Sequence, residues 1–294
     1  MEIIVPIVTP LDEDFAVDEK GLRNLVDFVL DKGVSGIFVL GTTGEFQYIR
    51  NKKRTIEIVI DEVSNRCPVY AGVTEFTVEE TVYQIMEIQN LIKKPDFLVI
   101  APLVYHSNRK LFRHFERIEK FLQIPVYLYN NIGIITRKLK RKDIIPGIVE
   151  QLSKLDKISG IKDSSGNIKY FKEIMGFRGE KFKVLQGDEG LIRESFLLGA
   201  DGIVPSMGNI FPEILVNLIN CLKNKQDEKS KILQEKIIEI RSVYLKYGIT
   251  PAVLKEYLKR QGIIKTETSF YKSNNLNEIV NQLEKKIENI KKEV

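Results

Sequence analysis

The amino-acid sequence predicts an α/β protein of a particular kind, a (β/α)8 (TIM) barrel with a C-terminal helical extension. Three observations predict it. Short apolar runs rich in Val and Ile recur eight times before residue 210. Segments with helical spacing alternate with them, as parallel strands joined by helical crossovers require. After Gly208 the strand-like runs stop and only helical spacing continues. The 294 residues would allow two average domains. No Pro/Gly/Ser-rich linker divides them, so we read residues 1–209 as the barrel and 210–294 as the extension.

The expected strands, in order, are Ile3–Val8, Gly36–Leu40, Val69–Val73, Phe97–Ala101, Val126–Tyr129, Ile158–Lys162, Lys183–Gln186 and Gly202–Pro205. Each is a short apolar run bounded by Gly, Pro, Asp or Asn, which is how a strand covered on both faces reads. Between them, Leu22, Leu25, Val26 and Val29 share one helical face. Ile56, Ile58, Val59 and Val63 mark a second helix, Val78, Val82, Ile85, Met86 and Ile88 a third, and Phe112, Phe115, Ile118 and Phe121–Leu122 a fourth. Further on, Ile214–Leu222, Ile232–Tyr247, Pro251–Leu258 and Leu276–Ile290 read as helices. The charged stretch Lys223–Lys229 reads as a solvated turn and helix start, and the closing run from Glu284 as an exposed amphipathic helix.

Composition narrows the chemistry. Hydrophobic residues make up 43% and charged residues 29%, the values of an ordinary globular chain, which excludes disorder and collagen-like repeats. The net charge of +5 is too diffuse to argue for nucleic acid, though it can draw in an acidic metabolite. The two histidines, His106 and His114, and the two cysteines, Cys67 and Cys221, form no metal-ligand pattern and leave little for a Ser–His–Asp triad. We read both cysteines as small buried hydrophobes in a reducing compartment. No signal peptide and no apolar run long enough to span a membrane is visible, so we expect a cytoplasmic protein. If this is an enzyme, its chemistry then rests on Lys, Tyr, Ser, Thr or carboxylates.

A (β/α)8 barrel carries its reactive groups at the C-terminal ends of its strands. The second strand ends in Gly41-Thr42-Thr43-Gly44-Glu45, where backbone N–H groups and hydroxyls can approach an anion, or which is a plain glycine turn. The sixth ends in Lys162. Partial desolvation there lowers a lysine's pKa, and the amine can then form an imine with a ketone. Alternatively the lysine pairs with a strand-end carboxylate. The fifth carries Tyr127 and Tyr129 on one face; Tyr129, nearer the mouth, can deliver a proton or simply fill the core. Tyr105 follows the fourth strand as a second phenol at the mouth or a loop aromatic. Neither histidine sits at a strand end with a partner.

Four segments in this order, Val8-Thr9-Pro10, Gly41-Thr42-Thr43-Gly44-Glu45, Tyr129-Asn130 and Gly160-Ile161-Lys162-Asp163-Ser164, resemble the pyruvate-dependent Schiff-base lyases. That family includes dihydrodipicolinate synthase, N-acetylneuraminate lyase and 2-keto-3-deoxygluconate aldolase. The resemblance covers roughly residues 3 to 210. It implies that Lys162 forms the imine and that Tyr129 relays protons. Thr42 and Thr43 would hold the pyruvate carboxylate, Thr43 also joining the relay. Gly187 and Val204 would line the imine pocket, and Ser164 would touch the second substrate. Tyr105 would be lent to a neighbouring subunit within a homotetramer, a dimer of dimers. No cofactor, metal, nucleic acid or membrane is implied.

Two positions depart from the family pattern. Ile132 stands where a proline is common three residues after the tyrosine. Ile134 stands where the synthase carries an arginine for its amino-aldehyde's carboxylate. An aliphatic side chain cannot clamp a carboxylate, and Arg137 lies three residues further on. The leading expectation is therefore a class I aldolase that cleaves 2-keto-3-deoxygluconate-type sugar acids to pyruvate and glyceraldehyde. The rival within the family is dihydrodipicolinate synthase, condensing pyruvate with aspartate semialdehyde, with Arg137 recruited. A rival of another class is a keto-acid sensor without turnover.

Overall fold

The computed structural model describes all residues except His106, Ile135, Lys138, Leu139, Tyr247 and Val294, and of Thr136, Arg137, Lys140 and Arg141 it describes the backbone alone. The first half of the chain runs β1 (Glu2–Pro6), α1 (Glu19–Asp31), β2 (Gly36–Val39), α2 (Lys52–Val63), β3 (Val69–Gly72), α3 (Val78–Gln89), β4 (Phe97–Ile100), β5 (Val104–Tyr105), α4 (Asn108–Glu119) and β6 (Val126–Asn130). The second runs β7 (Thr136–Arg137), β8 (Lys140–Arg141), α5 (Pro146–Leu152), β9 (Ile158–Asp163), α6 (Ile168–Met175), β10 (Lys183–Gln186), α7 (Ile192–Leu197), β11 (Gly202–Ile203), α8 (Pro212–Lys223), α9 (Asp227–Leu245), α10 (Thr250–Arg260) and α11 (Leu276–Glu293). Parallel strands close a barrel in the order β1, β11, β10, β9, β6, β4, β3, β2, as expected.

The expected strands match to within two residues at their ends, because fully buried strands announce themselves as apolar runs. The sheet of β5, β7 and β8 was not expected. Its strands are two residues long, too short to show any periodicity. The helices start where their capping residues allow: Asp18 accepts from Gly21 N, Thr77 and Glu80 form a reciprocal capping box, and Ser107 accepts from Lys110 N. The basic run Arg50–Arg54 is a helix start, with Asn51 capping α2 and Arg54 bound to Glu19 at 2.8 Å.

By contacts the chain forms two compact units, Met1–Glu2 with Pro68–Val204, and Ile3–Cys67 with Pro205–Val294. The C-terminal helices thus belong to the same unit as the first strands. In the first unit Tyr70, Phe97 and Tyr127 cluster with ring centroids 4.8 to 5.4 Å apart. Gly160 is required beside this cluster, since a Cβ there would lie 2.4 Å from the Tyr127 ring and 2.5 Å from the Lys183 carbonyl oxygen. In the second unit Asn209 accepts from Val8 N at 2.9 Å and donates to Pro6 O at 3.0 Å, which ties the end of β1 to the start of the extension. Arg260 joins α10 to α11 through Glu284 and Asn277. The closing helix buries Ile279, Val280, Leu283, Ile287 and Ile290 along one stripe. Of the cysteines, Cys221 is buried as expected, whereas Cys67 is only half-buried because it falls in the turn between α2 and β3.

Candidate active site

Lys162 and Tyr129 are the centre of the candidate site. β6 and β9 pair in parallel with Tyr129 directly opposite Lys162. Both side chains are 5% exposed. The Lys162 Nζ lies 4.3 Å from the centroid of the Tyr129 ring. Burial pushes the Lys162 amine below its ordinary pKa, opposed by Tyr129, through its charge and a hydrogen bond, and by the Glu189 carboxylate. Asn131 Nδ2 donates to the Tyr129 hydroxyl oxygen at 2.7 Å, so the phenol's own proton is directed elsewhere.

Gly187 sits against the stem of this lysine. A Cβ at position 187 would lie 2.1 Å from Ser164 Oγ, 2.9 Å from the Asp163 carbonyl and 3.0 Å from Lys162 Cε. The glycine is what lets β10 end so close to the amine. The backbone is fixed here by Gly187 N donating to Asp163 O at 2.6 Å and Val204 N to Gln186 O at 2.7 Å. Ser164 N donates to Asn130 O at 2.8 Å. The structure therefore brings Lys162, Ser164 and Gly187 into one small region, with Tyr129 beside the lysine.

A polar network on the opposite face of β6 and β9 was not foreseen. Asn130 donates to Asp163 Oδ1 at 2.8 Å and to Asp143 Oδ1 at 3.0 Å, and its own oxygen accepts from Ile144 N at 2.9 Å. Asp163 also accepts from the Ser165 N–H and hydroxyl. Burial, the largest influence, raises the Asp163 carboxyl to about 6 despite these donors. Side chains alternate across a strand, so this network holds the two strands from behind while Lys162 and Tyr129 face the other way. Nothing in a single sequence distinguishes such a pair of neighbouring polar residues from a solvated loop.

Tyr105 is placed differently from a phenol at an open mouth. It is buried, and its hydroxyl donates to the Asp143 carbonyl oxygen at 3.0 Å. His106 lies outside the described residues, and His114 is half-buried on α4, its Nε2 atom buried and lacking a hydrogen-bond partner among the described residues. Ile134 is half-buried in the turn after β6, its N–H bound to Asn131 O at 3.0 Å. Arg137 falls on β7, and its side chain lies outside the description.

In the second unit, the turn after β2 runs through Gly41, Thr42, Thr43 and Gly44, with both threonines half-buried. Within it Gly44 N donates to Gly41 O, Glu45 N to Thr42 O and Phe46 N to Gly41 O. Leu40 and Glu45, at either end, hold the left-handed backbone at φ of 59° and 56°. Such strain on residues with side chains costs on the order of 1–3 kcal/mol each and persists only where the surroundings enforce it. Thr9 Oγ1 donates to Gly44 O at 2.7 Å. The Glu45 carboxylate, wholly buried, is bound by Lys255 on α10, by Ser269 Oγ at 2.7 Å and by Phe270 N at 2.8 Å. Sequence reasoning singled out neither Lys255 nor Ser269, because both lie more than 200 residues from their partner.

Among the described residues no cluster of His, Cys, Asp and Glu could hold a metal, and no helix is long and apolar enough to cross a membrane. Comparison with known proteins agrees with the geometry. The model of the dihydrodipicolinate synthetase family matches residues 1–289. A 4-hydroxy-tetrahydrodipicolinate synthase from Pelobacter propionicus is 31% identical over 243 residues, covering 81% of this chain and 80% of the relative. The enzyme of that name from Syntrophobacter fumaroxidans is 30% identical, covering 87% and 86%. Among solved structures, dihydrodipicolinate synthase from Bacteroides thetaiotaomicron superposes with a TM-score of 0.86 at 29% identity, covering 98% of both chains. YagE, a prophage protein of the same family from E. coli K12 in complex with pyruvate, does so with 0.86 at 25% identity over 97% of this chain and 98% of its own. With the barrel, the lysine–tyrosine pair and a family match along almost its whole length, this chain belongs to the dihydrodipicolinate synthetase family.

Proposed function

We propose that this protein is a Schiff-base lyase acting on pyruvate and an aldehyde. The Lys162 amine attacks the keto carbon of pyruvate, water leaves, and an imine forms. The protonated imine draws electrons from the neighbouring carbon, so a proton can leave the pyruvate methyl group and that carbon can add to an aldehyde. The reverse sequence cleaves the same bond. Tyr129 moves the proton to or from the aldehyde oxygen. The observation that carries this reading is a buried amine, depressed in pKa, set 4.3 Å from the ring centre of the phenol that would serve it.

Thr42 and Thr43 take the pyruvate carboxylate, Gly187 and Val204 line the imine pocket, and Ser164 meets the second substrate, as the family resemblance implies. Tyr105 serves a neighbouring subunit of a homotetramer only if its hydroxyl leaves the Asp143 carbonyl. A reducing, cytoplasmic setting suits two cysteines that are in no disulfide.

The identity of the aldehyde separates two reactions. The relatives are named 4-hydroxy-tetrahydrodipicolinate synthases, which supports condensation with aspartate semialdehyde over the cleavage of 2-keto-3-deoxygluconate that the sequence favoured. Ile134 supports the cleavage, since no guanidinium stands there to pair with a second carboxylate. The test has two arms. Incubation with pyruvate and borohydride, followed by digestion, is expected to place a covalent adduct on Lys162; its absence overturns the mechanism. Values of kcat/KM for aspartate semialdehyde with pyruvate, and for a panel of keto-deoxy sugar acids, then assign the reaction. No turnover of either class beside a trapped imine would point to the sensor.

A further inference from the structure

The Glu45–Lys255 pair is fully buried, lies outside the proposed chemistry, and ends at the turn that carries Thr42 and Thr43. We propose that Glu45, Lys255 and Ser269 are positioning residues that hold this turn in the conformation that binds the pyruvate carboxylate. The inference rests on the reading of Thr42 and Thr43 given above.

Three facts carry it. First, Glu45 adopts a left-handed backbone, φ 56°, which a residue with a side chain avoids unless its surroundings impose it. Second, its surroundings do impose it. One carboxylate oxygen accepts from Ser269 Oγ and Phe270 N, the other from Lys255 Nζ, and Lys255 donates in addition to the Thr268 carbonyl at 2.9 Å. These donors come from α10 and from the segment between α10 and α11, so the helical extension clamps the turn. Third, a buried ion pair is seldom the most stable filling for its volume; apolar side chains of similar size often do as well or better. Its value therefore lies in fixing geometry. The backbone bonds from Gly44, Glu45 and Phe46 back to Gly41 and Thr42 transmit that geometry to the threonines.

The test measures how much pyruvate is needed to half-saturate borohydride trapping on Lys162, in the full chain. Wild-type protein that traps no pyruvate at any concentration overturns the imine reading itself, and this proposal with it. Given trapping, the paired substitution Glu45→Gln with Lys255→Met removes both charges without stranding one. It is expected to raise the half-saturating pyruvate concentration at least tenfold while the adduct at saturation stays near wild type. Ser269→Ala, which leaves the ion pair in place, is expected to raise it about threefold and serves alone if the double variant does not fold. A merely structural role would lower the melting temperature and leave that concentration unmoved. A folded variant within twofold of wild type, whatever its melting temperature, overturns the proposal.

Discussion

The side-chain nitrogen of Lys162 lies 4.3 Å from the centre of the Tyr129 ring, one strand away and directly opposite in register. Both groups are almost wholly out of water. The ring's negative face favours a cation above it, while burial favours the neutral amine. Burial dominates, so the amine is depressed in pKa and a larger share of it is nucleophilic.

Lys162→Met is expected to abolish pyruvate trapping and turnover. It should also melt at or above the wild-type temperature, because an apolar chain of similar length replaces a desolvated amine. Mass spectrometry after borohydride and a thermal melt measure the two parts separately. Wild-type-like turnover in this variant would remove Lys162 from the mechanism.

Tyr129→Phe keeps the ring and removes the hydroxyl that Asn131 holds at 2.7 Å. We expect kcat to fall about 10²-fold or more, the usual contribution of a positioned acid–base group. Asn131→Ala should fall by less and shift the pH profile of kcat, since the phenol loses its fixed donor. Steady-state kinetics across pH 5.5 to 9, a range set by experiment, resolve the two effects.

Gly187→Ala places a methyl group 3.0 Å from Lys162 Cε and 2.1 Å from Ser164 Oγ. One of the two side chains must move, and the Asp163 carbonyl at 2.9 Å closes the alternative path. Trapping on Lys162 is expected to slow at least tenfold. Adding Ser164→Gly should restore part of the rate, because it clears the nearer obstruction. Stopped samples along the trapping time course measure both.

His114 is neutral in the folded chain: burial, then the Arg117 charge, lowers its pKa from 6.5 to about 4. A base depressed in this way contributes stability that is present above its unfolded value and lost as pH falls toward 4. Asp163 acts in the opposite sense, its carboxyl raised from 3.8 to about 6, so its contribution is present below 3.8 and lost as pH rises through 6. His114→Leu removes only the first effect. The variant's stability relative to wild type is therefore expected to improve steadily as pH drops from 6.5 to 4, read by urea denaturation. A difference that stays constant over that window would place a charged histidine in the fold.

The elements that positioned Lys162 were legible because a strand buried on both faces must be apolar over its length, and a lysine closing such a strand stands out. The same holds for Tyr129, two residues beyond Tyr127 on one face of β6. Tyr105 read equally well as a mouth phenol or a loop aromatic, and only the fold brought Asp143 to its hydroxyl. The β5–β7–β8 sheet was invisible for a related reason, since two-residue strands are held by their partners rather than by their own pattern.

Sequence alone thus determined the barrel, the order of its strands along the chain, and which side chains end them, because burial and periodicity are local properties of composition. Composition also narrowed the candidate chemistry to Lys, Tyr, Ser, Thr or carboxylates, since two histidines and two scattered cysteines leave little else. The tertiary structure decided what depends on distant partners. It set Asn130 between two aspartates, closed β10 against the lysine stem at Gly187, and brought Lys255 and Ser269 onto Glu45. Those contacts join residues that no local pattern connects, and their strength comes from a low-dielectric interior that exists only once the chain has folded.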